Sequence, residues 1–184
     1  MVSLDKAGDA IREIYDTHRS RTVELLVSTK VLCLASLVFA AMFEPYFAEG
    51  QKKAAREPVR VKLEDDDARA MKTILRALHY HPIGELEPSN AKELACLAIH
   101  CDKYDCRASL KSWIYCWFSL LEPRSEEPEH LSFLLLAAYK FTEPKQFANI
   151  SALIVNKMPP EFPATSYDHE MFSLLPETVT GMFE

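Results

Sequence analysis

His79, His81 and His100, with Cys96, Cys101 and Cys106, are the residues of this chain best suited to chemistry. Cys96 and His100 are four apart, a spacing that puts both on one helix face and could hold zinc. Structural zinc sites favour C-x2-C pairs on loops, and no such pair occurs here. Reduced cysteines packing as small hydrophobes are the simpler reading, for these three and for Cys33 and Cys116. A histidine can serve as acid or base near neutral pH, but His79-Tyr80-His81 stands before Pro82 at an expected helix end. There the helix dipole alone favours the residue type. Trp113 and Trp117, one turn apart, read as core packing rather than as a binding cage. The four glycines, at positions 8, 50, 84 and 181, build no G-x-G-x-x-G turn, P-loop or G-x-S-x-G elbow. Without such backbone nests for phosphate or oxyanion, most nucleotide enzymes and serine hydrolases are excluded. The expectation is a protein that is not an enzyme, with no catalytic residue, no cofactor and no metal.

The chemistry-poor residues sit in a chain of 184 residues, 48% of them hydrophobic, with a net charge of −6. That length suits one ordinary domain with a helical extension, and the apolar content suits a buried core rather than disorder. The negative balance argues against nucleic acid, since phosphate binding needs a basic footprint. Met1 to Tyr15 lacks the apolar stretch of a signal peptide, and five cysteines form no paired framework. An intracellular setting, cytoplasm or nucleus, is expected, with neither membrane nor small-molecule substrate.

Positioning elements follow from periodicity. Ile11, Ile14 and Tyr15 fit a helix, yet a strand after Gly8-Asp9 fits almost as well. Thr22 to Val27 reads as a strand. Val31 to Phe43 contains no charge; it is too short for a bilayer, which needs about 20 residues, and reads as one helix buried at the domain centre. Val59 to Leu63 alternates apolar and polar residues, as a half-exposed strand does. Glu64-Asp65-Asp66-Asp67 reads as the acidic cap of a helix carrying Met71, Ile74, Leu75 and Leu78, which Pro82 stops. Asn90 to Glu93 has capping-box spacing before Leu94, Leu97, Ala98 and Cys101. Asp105 is the expected cap of a third helix, with Leu110, Trp113, Ile114, Trp117 and Leu121 in its stripe. After a proline-framed linker, Glu122 to Pro128, two more helices are expected, through Leu131–Ala138 and Phe147–Ile154.

This order, with its motifs, resembles the BTB/POZ domain. Gly8-Asp9-Ala10-Ile11 is similar to the family's opening strand, and Val27 to Phe43 to its central segment V-H-K-x-V-L-A-A-x-S-x-x-F-x-x-M-F. Val59 to Asp66 resembles the strand and acidic turn V-x-L-x-D-D. Ala98 to Cys106 resembles the A-D-K-Y-D-C stretch of the fungal branch, and residues 129 to 158 its helical tail. The resemblance implies an α+β fold: a BTB/POZ-like core over residues 8–122, a small sheet flanked by helices, and a helical C-terminal extension over 123–184.

Ser28 and Thr29 replace the family's usual histidine and basic residue. Only seven residues precede Gly8, too few for the swapped extension of the larger dimers, so a monomer or weak dimer is expected. By resemblance the chain is a protein–protein interaction module. One form is an adaptor for a cullin-based ubiquitin ligase; another is a transcriptional regulator or oligomerisation scaffold working through a separate DNA-binding partner. The rival class is a small enzyme using His79, His81 or His100, against which the missing glycine loops count. The partner surface is placed at Tyr46, Phe47 and Glu49, which resemble the family's hydrophobic-x-Glu element for a cullin scaffold. Phe47 could equally face the core.

Overall fold

Alternating apolar and charged residues set the strands, and a computed structural model describes residues 1–16, 19–44, 58–63, 65–121, 127–157, 170–176 and 179. Strands β1 (Val2–Ser3), β2 (Ala10–Asp16), β3 (Arg21–Val27) and β4 (Val59–Leu63) form one sheet in the order β1-β3-β2-β4. Strand β2 lies antiparallel to β3 and parallel to β4. The ambiguity over Ile11 and Ile14 is thus resolved as a strand. The register sets Ala10, Arg12 and Ile14 beside Val27, Leu25 and Val23 on one flank and Val59, Val61 and Leu63 on the other. That inner face is apolar but for Arg12. On the outer face Glu13 stands directly opposite Glu24, a like-charge pairing that would repel. Arg60 resolves it by binding both, at 2.5 and 2.7 Å. Its hydrogen bond lowers the pKa of the half-buried Glu24 carboxyl from its ordinary value.

The helices are α1 (Thr29–Ala35), α2 (Leu37–Met42), α3 (Ala68–Leu78), α4 (Ala91–Lys103), α5 (Lys111–Leu120), α6 (Pro128–Lys140) and α7 (Pro144–Lys157), with short 3-10 turns at Gly84–Leu86 and Glu170–Leu174. Among the described residues the chain therefore mixes helices with one four-stranded sheet, compatible with the α+β class. Its contacts group it into two compact units, Met1–Glu87 with His100–Ile114, and Pro88–Ile99 with Tyr115–Glu184. In the first, α3 packs against β2 and β3 through its buried stripe Met71, Ile74, Leu75 and Leu78. In the second, α6 and α7 form a hairpin, and Trp117, Phe118 and Phe141 cluster with ring centroids 6.1 to 6.3 Å apart. Among the described residues no helix is long and apolar enough to cross a membrane.

Caps account for several helix starts. Asp67 accepts from the Ala70 N–H at 2.7 Å, as the acidic run predicts. Asn90 accepts from Glu93 N–H at 2.9 Å, while Glu93 reaches back to Ser89 N–H.

Two expectations need correction. Val31 to Phe43 is not a single buried helix: the backbone turns extended at Ser36, separating α1 from α2. Leu34 and Leu37 are 81% and 76% exposed, so the run is apolar without being enclosed. Asp105 does not open α5. It follows α4 with φ of 45°, and Cys106 N–H bonds back to the Cys101 carbonyl at 3.1 Å, the closing bond of a left-handed helix end.

Candidate functional site

The exposed face of α1 and α2 begins with how those helices are fixed. Gly8 is required by close approach: an added Cβ would lie 2.8 Å from Leu26 Cγ and 2.9 Å from the Val27 carbonyl oxygen. That tight turn delivers Asp9, whose carboxylate accepts from Thr29 N–H at 2.7 Å and from Thr29 Oγ1 at 2.5 Å. Ser28 N–H donates to His79 Nε2 at 3.0 Å. The start of α1 is thus held by two side chains from other elements, one before β2 and one at the end of α3. His81 instead ties the end of α3 to the residue after β1, its Nε2 donating to the Leu4 carbonyl at 2.6 Å.

Ser36 fixes the break between the two helices. Its Oγ accepts from Phe39 N–H at 2.9 Å and donates to the Tyr104 carbonyl. Ser109 Oγ donates to the Ala35 carbonyl at 2.9 Å, satisfying the end of α1. Phe39 turns inward and stacks on Tyr104 at 4.7 Å between centroids. Leu32 and Phe43 are buried with it. With the inward side occupied, Leu34, Leu37 and Val38 remain on the outside, joined by exposed Ala41.

Beneath α2 lies a buried polar group of side chains. Arg12, with no exposed surface, points from β2 at the rings of Phe39 and Phe43, at 5.2 and 4.8 Å, and its Nη1 is 3.3 Å from Met42 Sδ. Asp66, its side chain fully buried, accepts from Lys103 Nζ at 2.7 Å and from the Tyr104 hydroxyl at 2.5 Å. Burial, then the bond to Asp66, pushes the Tyr104 hydroxyl well above its ordinary range. His100 Nε2 accepts from Asp67 N–H at 2.9 Å. Burial likewise raises the Cys101 thiol, away from the thiolate that nucleophilic or metal chemistry needs. The K-Y-D-C stretch is therefore built as a brace: Lys103 pairs with the Asp66 charge, Tyr104 donates a hydrogen bond to it, Asp105 turns the chain, and Cys106 fills the core.

An open cleft of about 720 Å³ lies along Glu13, Tyr15, Thr22, Lys62 and Asp65 to Asp67. Among the described residues no three His, Cys, Asp or Glu side chains are grouped to hold a metal ion.

Tyr46, Phe47 and Glu49, the partner-binding residues expected from sequence, lie outside the described residues. The structure instead brings forward Leu34, Leu37 and Val38, which the apolar run from Val31 to Phe43 suggests are core. The one available signal was Ser36, the sole hydroxyl within the Val31 to Phe43 run, with the N–H of Phe39 three residues on. No protein-family model matches the sequence, and no curated protein does.

Proposed function

We propose that this chain is a protein-interaction module of BTB/POZ type that acts by binding and carries out no chemistry of its own. The observation that carries this reading is the apolar surface of Leu34, Leu37 and Val38 on the α1–α2 pair. Two leucines more than three-quarters exposed, flanked by Val38 on one short helical pair, present apolar area that a partner can bury. The four stretches that resemble the family also have connected physical roles: Gly8-Asp9 caps α1, Ser36 separates the helices, and Asp66 is braced by Lys103 and Tyr104. Against an enzyme stands the use of the histidines. His79, His81 and His100 each bind backbone groups through ring nitrogens.

The test compares the wild-type chain with a Leu34→Glu/Leu37→Glu double variant, each immobilised and exposed to the same cell extract. The expected result is an unchanged melting temperature and loss of specifically captured proteins. Identical capture by both chains would remove this surface from the proposal.

The finer reading, a cullin adaptor, rests on Tyr46, Phe47 and Glu49. Titration against a purified cullin N-terminal domain tests it directly. Phe47→Ala is expected to cost about 2–4 kcal/mol of binding and Glu49→Ala under about 1 kcal/mol. A wild-type chain that binds no cullin sinks the adaptor reading and leaves the interaction module standing.

A further inference from the structure

We propose that His79 is a proton-operated latch on α1: proton uptake at its Nε2 releases the Ser28 N–H and frees the first turn of α1 from the end of α3. The geometry fixes the tautomer. His79 Nδ1 lies 2.8 Å from the Leu75 carbonyl, which can only accept, so Nδ1 carries the proton. Nε2 then presents a lone pair, and it accepts the Ser28 N–H at 3.0 Å. A second proton on the ring would set N–H against N–H at that position. The bond would be lost, and Ser28 N–H would be left part-buried without its acceptor. Thr29 keeps its own tie to Asp9, so protonation loosens the helix start without detaching it.

The surroundings set the direction. Burial lowers the affinity of His79 for a proton below its ordinary value of 6.5, partly offset by the Leu75 carbonyl and the charge of Asp5, while His81 adds to the lowering. In the folded chain the neutral, latched form is therefore favoured relative to the unfolded chain. The stabilisation is fully present above pH 6.5, and it is lost as pH falls below that value through the folded pKa. Asp9, held by Thr29 one residue from Ser28, is a further charged group at this junction, and Lys30 follows in the same first turn of α1.

The experiment uses the full chain, isotope-labelled, titrated from about pH 7.5 to about pH 5. Ring nitrogen shifts of His79 report its tautomer and protonation. Amide exchange, corrected for the intrinsic rate at each pH, reports the Ser28 bond. The expected result is an Nδ1–H ring at the upper pH, followed by at least about a tenfold loss of Ser28 protection that tracks His79 protonation, with Met71 to Ile74 unaffected. In His79→Gln, which cannot titrate, Ser28 protection is expected to stay flat. Protection that persists after the ring is protonated, or an equal loss in His79→Gln, overturns the proposal. Should His79→Gln not fold, the wild-type titration decides alone: coincident midpoints for ring and amide uphold the latch, and separate midpoints refute it.

Discussion

Leu32 and Leu34 are two residues apart in the same short helix and have opposite fates. Leu32 has no exposed surface, whereas Leu34 is 81% exposed. From sequence the two are alike, since both sit in an unbroken apolar run. The structure predicts that Leu34→Asp folds, at a cost of under about 1 kcal/mol from helix propensity and from a carboxylate near the helix C-terminus. Leu32→Ala is expected to cost about 2–5 kcal/mol, through lost burial and the cavity it leaves. Chemical denaturation of both variants measures the contrast. A Leu34→Asp chain destabilised as much as Leu32→Ala would place Leu34 in the core after all. Arg12 shows the same limit of residue-type reading in reverse: its charge suggests an outward residue, yet it lies on the inner face over two phenyl rings. The distant residues Phe39 and Phe43 make that position tolerable, and nothing local announces them.

Helix ends are where this glycine-poor chain departs from the usual solution. Helices α3, α4 and α6 end on Tyr80, Asp105 and Thr142, at φ of 59°, 45° and 59°, positions that commonly fall to glycine or asparagine. In each case the following N–H closes back five residues, from His81 to Arg76, Cys106 to Cys101 and Glu143 to Ala138. Tyr80 is 94% exposed, so its side chain contributes little packing to offset the left-handed backbone. Tyr80→Asn is expected to raise stability by about 0.5–1 kcal/mol, read as a higher denaturation midpoint with unchanged slope. A lowered midpoint would show that the tyrosine ring is held by something beyond its own turn. Ser36→Ala should act in the opposite sense, costing about 1–2 kcal/mol, because it removes the α2 cap and the Tyr104 carbonyl's donor together. If Ser36→Ala is neutral by the same measurement, α1 and α2 do not depend on that hydroxyl for their separation.

Across the chain, what was legible in the sequence is what depends on near neighbours. Period-2 alternation gave β4, and the 3.6-residue stripes gave α3, α4, α6 and α7, because each pattern is satisfied by the element's own geometry. The junctions were not legible: His79 meets Ser28 across 51 positions, and Ser36 meets Tyr104 across 68. The partner residues proposed at 46, 47 and 49 lie outside the described residues, whereas Leu34, Leu37 and Val38 form an apolar surface within them. Its size bounds self-association. In a symmetric pair four leucines would be covered, each worth about 1.5–3 kcal/mol on full burial. Association costs at least about 4 kcal/mol in lost translational and rotational freedom. The remainder corresponds to a dissociation constant of about 1 μM at best. Sedimentation is therefore expected to show mostly monomer well below about 1 μM, with any dimer abolished by Leu34→Glu/Leu37→Glu. A dimer persisting to nanomolar concentration, or one indifferent to those substitutions, would mean that a larger surface joins the copies and that the α1–α2 face is left free for a different protein.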